Sequence, residues 1–148
     1  MTATNHMIMG AIIVAVIPHP ILSLPLAFLS HFVLDSLPHA GGEVKQGWCY
    51  IKTVWVIDFI LLLTLLGFIY FVKDGSLYVV AGAMLAESPD IAWVYRYAWL
   101  EKWGKVAPRK LNAFNRFHSK IQKYEFEKGM YIEIVWLVGT ALILNSVL

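Results

Sequence analysis

The chain alternates blocks of apolar residues with short polar interruptions, and the length of each block limits what it can do. Val54 to Val72 is the clearest block and carries one charge, Asp58, near its first turns. Met130 to Leu148 is similar, with Glu133 near its start. A bilayer core about 30 Å thick is crossed by about 20 apolar residues rising 1.5 Å each. Both blocks therefore predict membrane-spanning helices. Met7 to Ile17 and Leu77 to Ala86 are equally apolar but too short to cross alone.

Proline explains the first short block. Pro18-His19-Pro20 stops a helix, because proline lacks the N–H and restricts its predecessor. A second helix follows from about Ser23 to Leu37, closed by Pro38 and Gly41-Gly42. The two form either one kinked span or a hairpin with Pro-His-Pro at its tip. The hairpin is favoured, since equal steps back from the tip reach His6 on one arm and His31 on the other. Glu87-Ser88-Pro89-Asp90 reads as a helix start, with Ser88 as N-cap and Pro89 in the first turn. That predicts a helix broken at 88. Gly10-Ala11 before Pro18 and Gly82-Ala83 before Pro89 form a faint repeat.

Pro108 to Lys128 is amphipathic: Leu111, Phe114, Phe117, Ile121 and Tyr124 recur at steps of three and four, with Lys110, Arg116, Lys120 and Lys123 mostly off that stripe. Such a helix lies in the interface or caps a bundle. Glu43 to Lys52 is a polar connection and Lys73 to Ser76 a tight turn. The expected architecture is all-α: one domain over residues 1–148, a polytopic membrane helical bundle with proline-broken helices and one cytoplasmic amphipathic helix. Its helices cover about 6–17, 23–37, 53–73, 77–87, 89–103, 109–128 and 130–147.

Composition agrees. Hydrophobic residues make up 59% of the chain and charged ones 15%, where soluble domains carry about a quarter charged. Lys and Arg concentrate between Arg96 and Lys128. Beside membrane-like segments, this suits anionic lipid headgroups rather than nucleic acid. It also places residues 96–130 on the cytoplasmic side. One cysteine, Cys49, excludes an intramolecular disulfide and a multi-cysteine zinc site. MTATNHM has no basic residue, so no cleaved signal peptide is expected.

Against this background the ionisable residues stand out, because charge at membrane depth is costly and usually functional. Four of the five histidines lie between Asn5 and His39. His31 and Asp35 are neighbours at i, i+4 on one helix face, and His39 continues that face if the helix survives Pro38. Zinc accepts His nitrogen and Asp oxygen together. Asp35 also sits near a helix C-terminus, where the dipole disfavours an anion and a cation is needed. Counted from the outer ends of their helices, His6, His31, Asp35, Asp58, Glu87 and Asp90 fall in one layer. Plainer roles stay open: a His31–Asp35 hydrogen bond joining helices, His6 as an interfacial histidine, His19 as a turn residue, Asp90 as a helix-start acid, and Asp58 and Glu133 at the water boundary. His118, beside the apolar stripe, faces either inward or to the surface.

The motifs resemble those of a family of membrane-bound metal-dependent hydrolases found in bacterial and archaeal inner membranes. The resemblance rests on His6 with Gly10, on SHFVLDSLPH from Ser30 to His39, and on Gly82 with Pro89-Asp90. The family's His-Arg-Gly-x-Thr-His stretch is absent, and Arg116-Phe117-His118 is the nearest sequence. The resemblance implies His6, His31, Asp35 and Asp90 as ligands of a divalent metal such as zinc. With His39 they form the expected metal set, and Glu87 or His118 is the expected proton carrier for hydrolysis of an ester or phosphoester. A transporter for an ion or small solute, or a structural membrane module, is the alternative.

Overall fold

The computed structural model describes residues 1–40, 48–72, 76–107, 110–126 and 128–148. Most of them are helical. Predicted features at 41–47, 73–75, 108–109 and 127 lie outside the described residues, including the Gly41-Gly42 stop, most of the 43–52 connection and most of the 73–76 turn.

Helices α1 (Ala3–Val16) and α2 (Pro20–Asp35) form the hairpin. Pro20 opens α2 within its first turn, where its missing N–H costs nothing. Helix α2 ends at Asp35 rather than Leu37, and a two-residue strand β1 (His39–Ala40) follows. His39 therefore does not continue the α2 face as helix. It returns to the cluster from a strand.

Helix α3 (Trp48–Gly67) runs on as a π-turn over Phe68–Val72. The next segment differs from expectation. Helix α4 (Leu77–Glu87), a 3₁₀ turn at Ser88–Asp90, α5 (Ile91–Val94) and a π-turn at Tyr95–Leu100 follow one continuous path. Ser88 does not cap a new helix: its hydroxyl donates back to the Leu85 carbonyl at 2.8 Å. The tighter turn absorbs Pro89, so the helix is distorted and not broken. Ser76 is the true N-cap, accepting from the Tyr78 N–H at 3.2 Å.

Among the described residues three helices, Lys52–Phe71, Leu77–Leu100 and Met130–Val147, are thus long and apolar enough to cross a membrane. The last belongs to α7 (Met130–Val147). Phe59, Ile60, Leu63, Val135, Val138 and Leu142 point outward and exposed. Helices apolar on every side suit a lipid environment, not water.

Helix α1 sits at the centre, packed against α2, α3, α4 and α7. Met7, Ala11, Val14, Ala83 and Leu144 belong to the core there. Gly10 and Gly82 let α1 and α4 touch backbone to backbone: a Cβ on Gly10 would run into the Gly82 carbonyl and lie 2.6 Å from the Ala86 Cβ. Small residues permit such close crossings.

The amphipathic helix is shorter than expected. Helix α6 covers Ala113–Ile121, capped by Asn112, and is followed by strand β2 (Glu125–Phe126), which pairs in parallel with β1. Its aromatic residues face outward. Phe114, Phe117 and Tyr124 are exposed, whereas Asn115 and His118 are the buried residues of α6. The polar face is turned inward because it meets the polar centre described next.

A candidate metal centre

Asp35 is the hub. It lies at the end of α2 with His31 one turn before it, and α1 returns to the same level through the Pro-His-Pro tip. The rings of His6 and His31 stack with centroids 3.9 Å apart. The His6 Nε2 lies 3.1 Å from Asp35 Oδ1 and the His31 Nε2 3.2 Å from Asp35 Oδ2. Helix α6 adds His118, whose Nε2 is 2.6 Å from Asp35 Oδ2, and Gln122, which donates to the same oxygen at 3.0 Å. Strand β1 brings the His39 Nε2 to 4.0 Å from Asp35 Oδ1. The 3₁₀ turn brings Asp90 Oδ1 to 3.6 Å from His31 Nε2 and 3.7 Å from His118 Nε2. Side chains of Asp35 and all four histidines are fully buried.

Hydrogen bonds fix which ring nitrogens carry protons. The His31 Nδ1 faces the Ala86 carbonyl at 2.8 Å and the His39 Nδ1 faces the Leu37 carbonyl at 2.7 Å. Carbonyls only accept, so both Nδ1 atoms donate. In the neutral rings each Nε2 then keeps a lone pair pointed at the centre, as a metal-binding histidine does. His118 is set the other way. The Trp93 indole N–H donates to its Nδ1 at 3.1 Å, so Nδ1 holds the lone pair and Nε2 holds the proton directed at Asp35.

Several buried atoms here lack a hydrogen-bond partner: both nitrogens of His6, the His39 Nε2 and Asp90 Oδ1. Buried polar atoms are normally satisfied, and exceptions cluster at functional sites. Ligand atoms of His31, Asp35, Asp90 and His118 lie within 4.8 Å of one another. The Met1 ammonium also reaches Asp35 Oδ1 at 2.7 Å. Burial opposes its charge, but the carboxylates of Asp35, Glu133 and Asp90 outweigh burial and raise its pKa.

All five expected ligands therefore converge, and His118 joins them from the buried face of α6. Glu87 lies one turn before Asp90 at the end of α4, facing an adjoining cavity, with its buried Oε2 unpartnered. Glu133 and Asp58 are both tied into the helix bundle. Glu133 accepts from the Thr2 and Ala40 N–H groups at 2.7 and 3.0 Å, tying α1 and β1 to α7. Asp58 accepts from the Ala3 and Thr4 N–H groups at 2.7 and 3.1 Å, closing the N-terminus of α1 from a neighbouring helix. His19 is exposed at the hairpin tip, as a turn residue should be. Gln122, Trp93 and Glu125, whose Oε1 is 3.7 Å from His39 Nε2, are contributors that the sequence did not single out.

No protein-family model, no curated protein and no solved structure matches this chain.

Proposed function

We propose that the chain is an integral membrane metal-dependent hydrolase acting on an ester or phosphoester at the membrane interface, with residues 96–130 toward the cytoplasm of a bacterial or archaeal cell. The observation that carries this reading is the convergence of buried His31, Asp35 and His118 with half-buried Asp90 within 4.8 Å, with the His31 Nε2 lone pair facing inward. Mixed nitrogen and carboxylate donors suit zinc. In this reading His31, Asp35 and Asp90 hold the metal, with His6 and His39 beside them. The metal supplies Lewis acidity and lowers the pKa of a bound water. His118, with its proton on Nε2 and its ring held by Trp93, would serve as the proton donor to the leaving group. The concentration of Lys and Arg between Arg96 and Lys128, and the outward phenylalanines of α6, support contact with anionic lipid on that side.

Elemental analysis of detergent-purified protein tests this. The expected result is about one divalent metal per chain, as a single site requires, lost in folded His31→Ala and Asp35→Ala. Wild-type protein that takes up no zinc, manganese or iron after reloading would overturn the reading and leave Asp35 as a hydrogen-bond hub joining helices.

A further inference from the structure

A cavity of about 910 Å³ adjoins the metal centre, with Asp90 common to both. Two helical stripes face each other across it. Glu87, Asp90, Trp93 and Tyr97 follow one another at steps of three and four on the composite helix, and Trp55 and Asp58 oppose them from α3. The rings form an unbroken series. Trp93 and Tyr97 stack at 5.7 Å, Tyr97 meets Trp55 at 5.8 Å, and Trp55 meets Trp103 at 5.2 Å. At the end of the series the Lys52 ammonium lies 5.7 Å from the Trp103 ring centre, so a cation already rests on one of these faces.

The acids differ in their commitments. Asp58 is engaged by the N-terminus of α1 and Asp90 Oδ1 faces His31 and His118, whereas Glu87 Oε2 is buried without a hydrogen-bond partner. A space lined by aromatic rings and by the unpartnered carboxylate oxygen of Glu87 attracts an organic cation. Aromatic faces favour weakly hydrated ammonium groups, and they are the usual recognition surface for choline-like ligands. Trp93 belongs to both sites, lining the cavity with its ring while its N–H holds His118.

We infer that this cavity binds the alkylammonium end of a phosphoester, as in a choline or ethanolamine headgroup, with the phosphoester end at the His/Asp cluster. The second half of that statement rests on the hydrolase reading, while the ammonium site stands on the cavity alone. The phosphoester comes from a zwitterionic lipid or from a soluble aminoalkyl phosphate.

Isothermal titration calorimetry of the full detergent-solubilised chain tests it, with tetramethylammonium, phosphocholine, phosphoethanolamine and glycerol phosphate as probes. The ammonium-bearing phosphates should bind at least about tenfold tighter than glycerol phosphate, as a desolvated cation–π contact requires. Tyr97→Ala and Glu87→Gln should each weaken tetramethylammonium and phosphocholine by about tenfold while leaving the metal content of the chain unchanged. Glu87→Gln keeps the side-chain shape, so it remains informative if Tyr97→Ala does not fold. Dihexanoyl phosphatidylcholine binding tighter than phosphocholine identifies a lipid source, and equal binding identifies a soluble one. Glycerol phosphate binding as tightly as phosphocholine, or affinities unmoved in both variants, would overturn the inference. Tetramethylammonium binding to a chain that takes up no metal would instead sink the hydrolase reading and leave the ammonium site standing.

Discussion

The indole N–H of Trp93 donates to Nδ1 of His118 at 3.1 Å, and that bond selects which nitrogen of His118 carries the proton. An indole cannot accept, so the imidazole must present a lone pair at Nδ1. Its Nε2–H is then directed at Asp35 Oδ2, 2.6 Å away. His31 and His39, held by carbonyls, have the opposite tautomer. One residue in the cluster is thereby fixed as a proton holder among others fixed as lone-pair donors.

Trp93→Phe removes the donor and keeps most of the ring. The proton of His118 is then free to move to Nδ1. Nitrogen NMR of ¹⁵N-histidine-labelled protein should show His118 changing toward the Nδ1–H form, with His31 and His39 unaltered. The lost bond should cost about 1 kcal/mol of stability. An unchanged Nε2–H signature in the variant would show that Asp35 alone sets the tautomer.

How far the sequence disclosed this arrangement follows from the range of the forces involved. The hairpin was legible because Pro18 and Pro20 act locally, and the His31–Asp35 pair because helix geometry fixes i, i+4 neighbours. The composite helix was misread as broken because Pro89 and Ser88 also give a start signal, while the Ser88 back-bond to Leu85 depends on the surrounding path. Which face of α6 turns inward was hidden for a different reason. Its apolar stripe is real, but in a membrane protein an apolar stripe can face lipid as readily as a core. The roles of Glu133, Gln122 and the His39–Glu125 strand pairing are tertiary, and no local pattern announces them.

The α1–α4 crossing makes a second prediction. A Cβ on Gly82 would lie 2.9 Å from the Val14 Cβ and 3.0 Å from the Gly10 carbonyl oxygen, whereas Gly67 and Gly139 have nothing within 4 Å. Gly82→Ala should lose about 1–3 kcal/mol through overpacking. Gly139→Ala should gain up to about 1 kcal/mol from helix propensity. Thermal unfolding in detergent separates them, and equal shifts for both would mean that the helices do not cross so closely.

Asp58 offers a third. Its carboxylate closes α1 through the N–H groups of Ala3 and Thr4 and the Thr4 hydroxyl, 2.6 Å from Oδ1. An anion at a helix N-terminus is also favoured by the dipole. Asp58→Ala should cost about 1–2 kcal/mol, the range for a lost N-cap. Because α1 carries His6, which stacks on the ligand His31, metal affinity should fall as well, with the metal still bound at saturation. A variant that loses stability but keeps wild-type zinc affinity in a competition titration would show that the position of His6 does not affect the metal.

The fourth prediction separates a metal site from a hydrogen-bond hub. Asp35 accepts from His118 and Gln122 at 2.6 and 3.0 Å on Oδ2 and meets His6 at 3.1 Å on Oδ1. Asn at this position keeps the volume but offers an amide NH₂ where one oxygen stood, facing groups that are themselves donors. Removing one partner from a buried charged cluster costs about 3–5 kcal/mol. Both readings predict this loss, so stability alone does not choose between them. Linkage does. A metal bound only by the folded chain stabilises it by about 2.7 kcal/mol at a free concentration one hundred times its Kd. Zinc should therefore raise the unfolding temperature of the wild type, a chelator should reverse the rise, and Asp35→Asn should respond to neither. An equal response to zinc in wild type and variant would place the metal elsewhere.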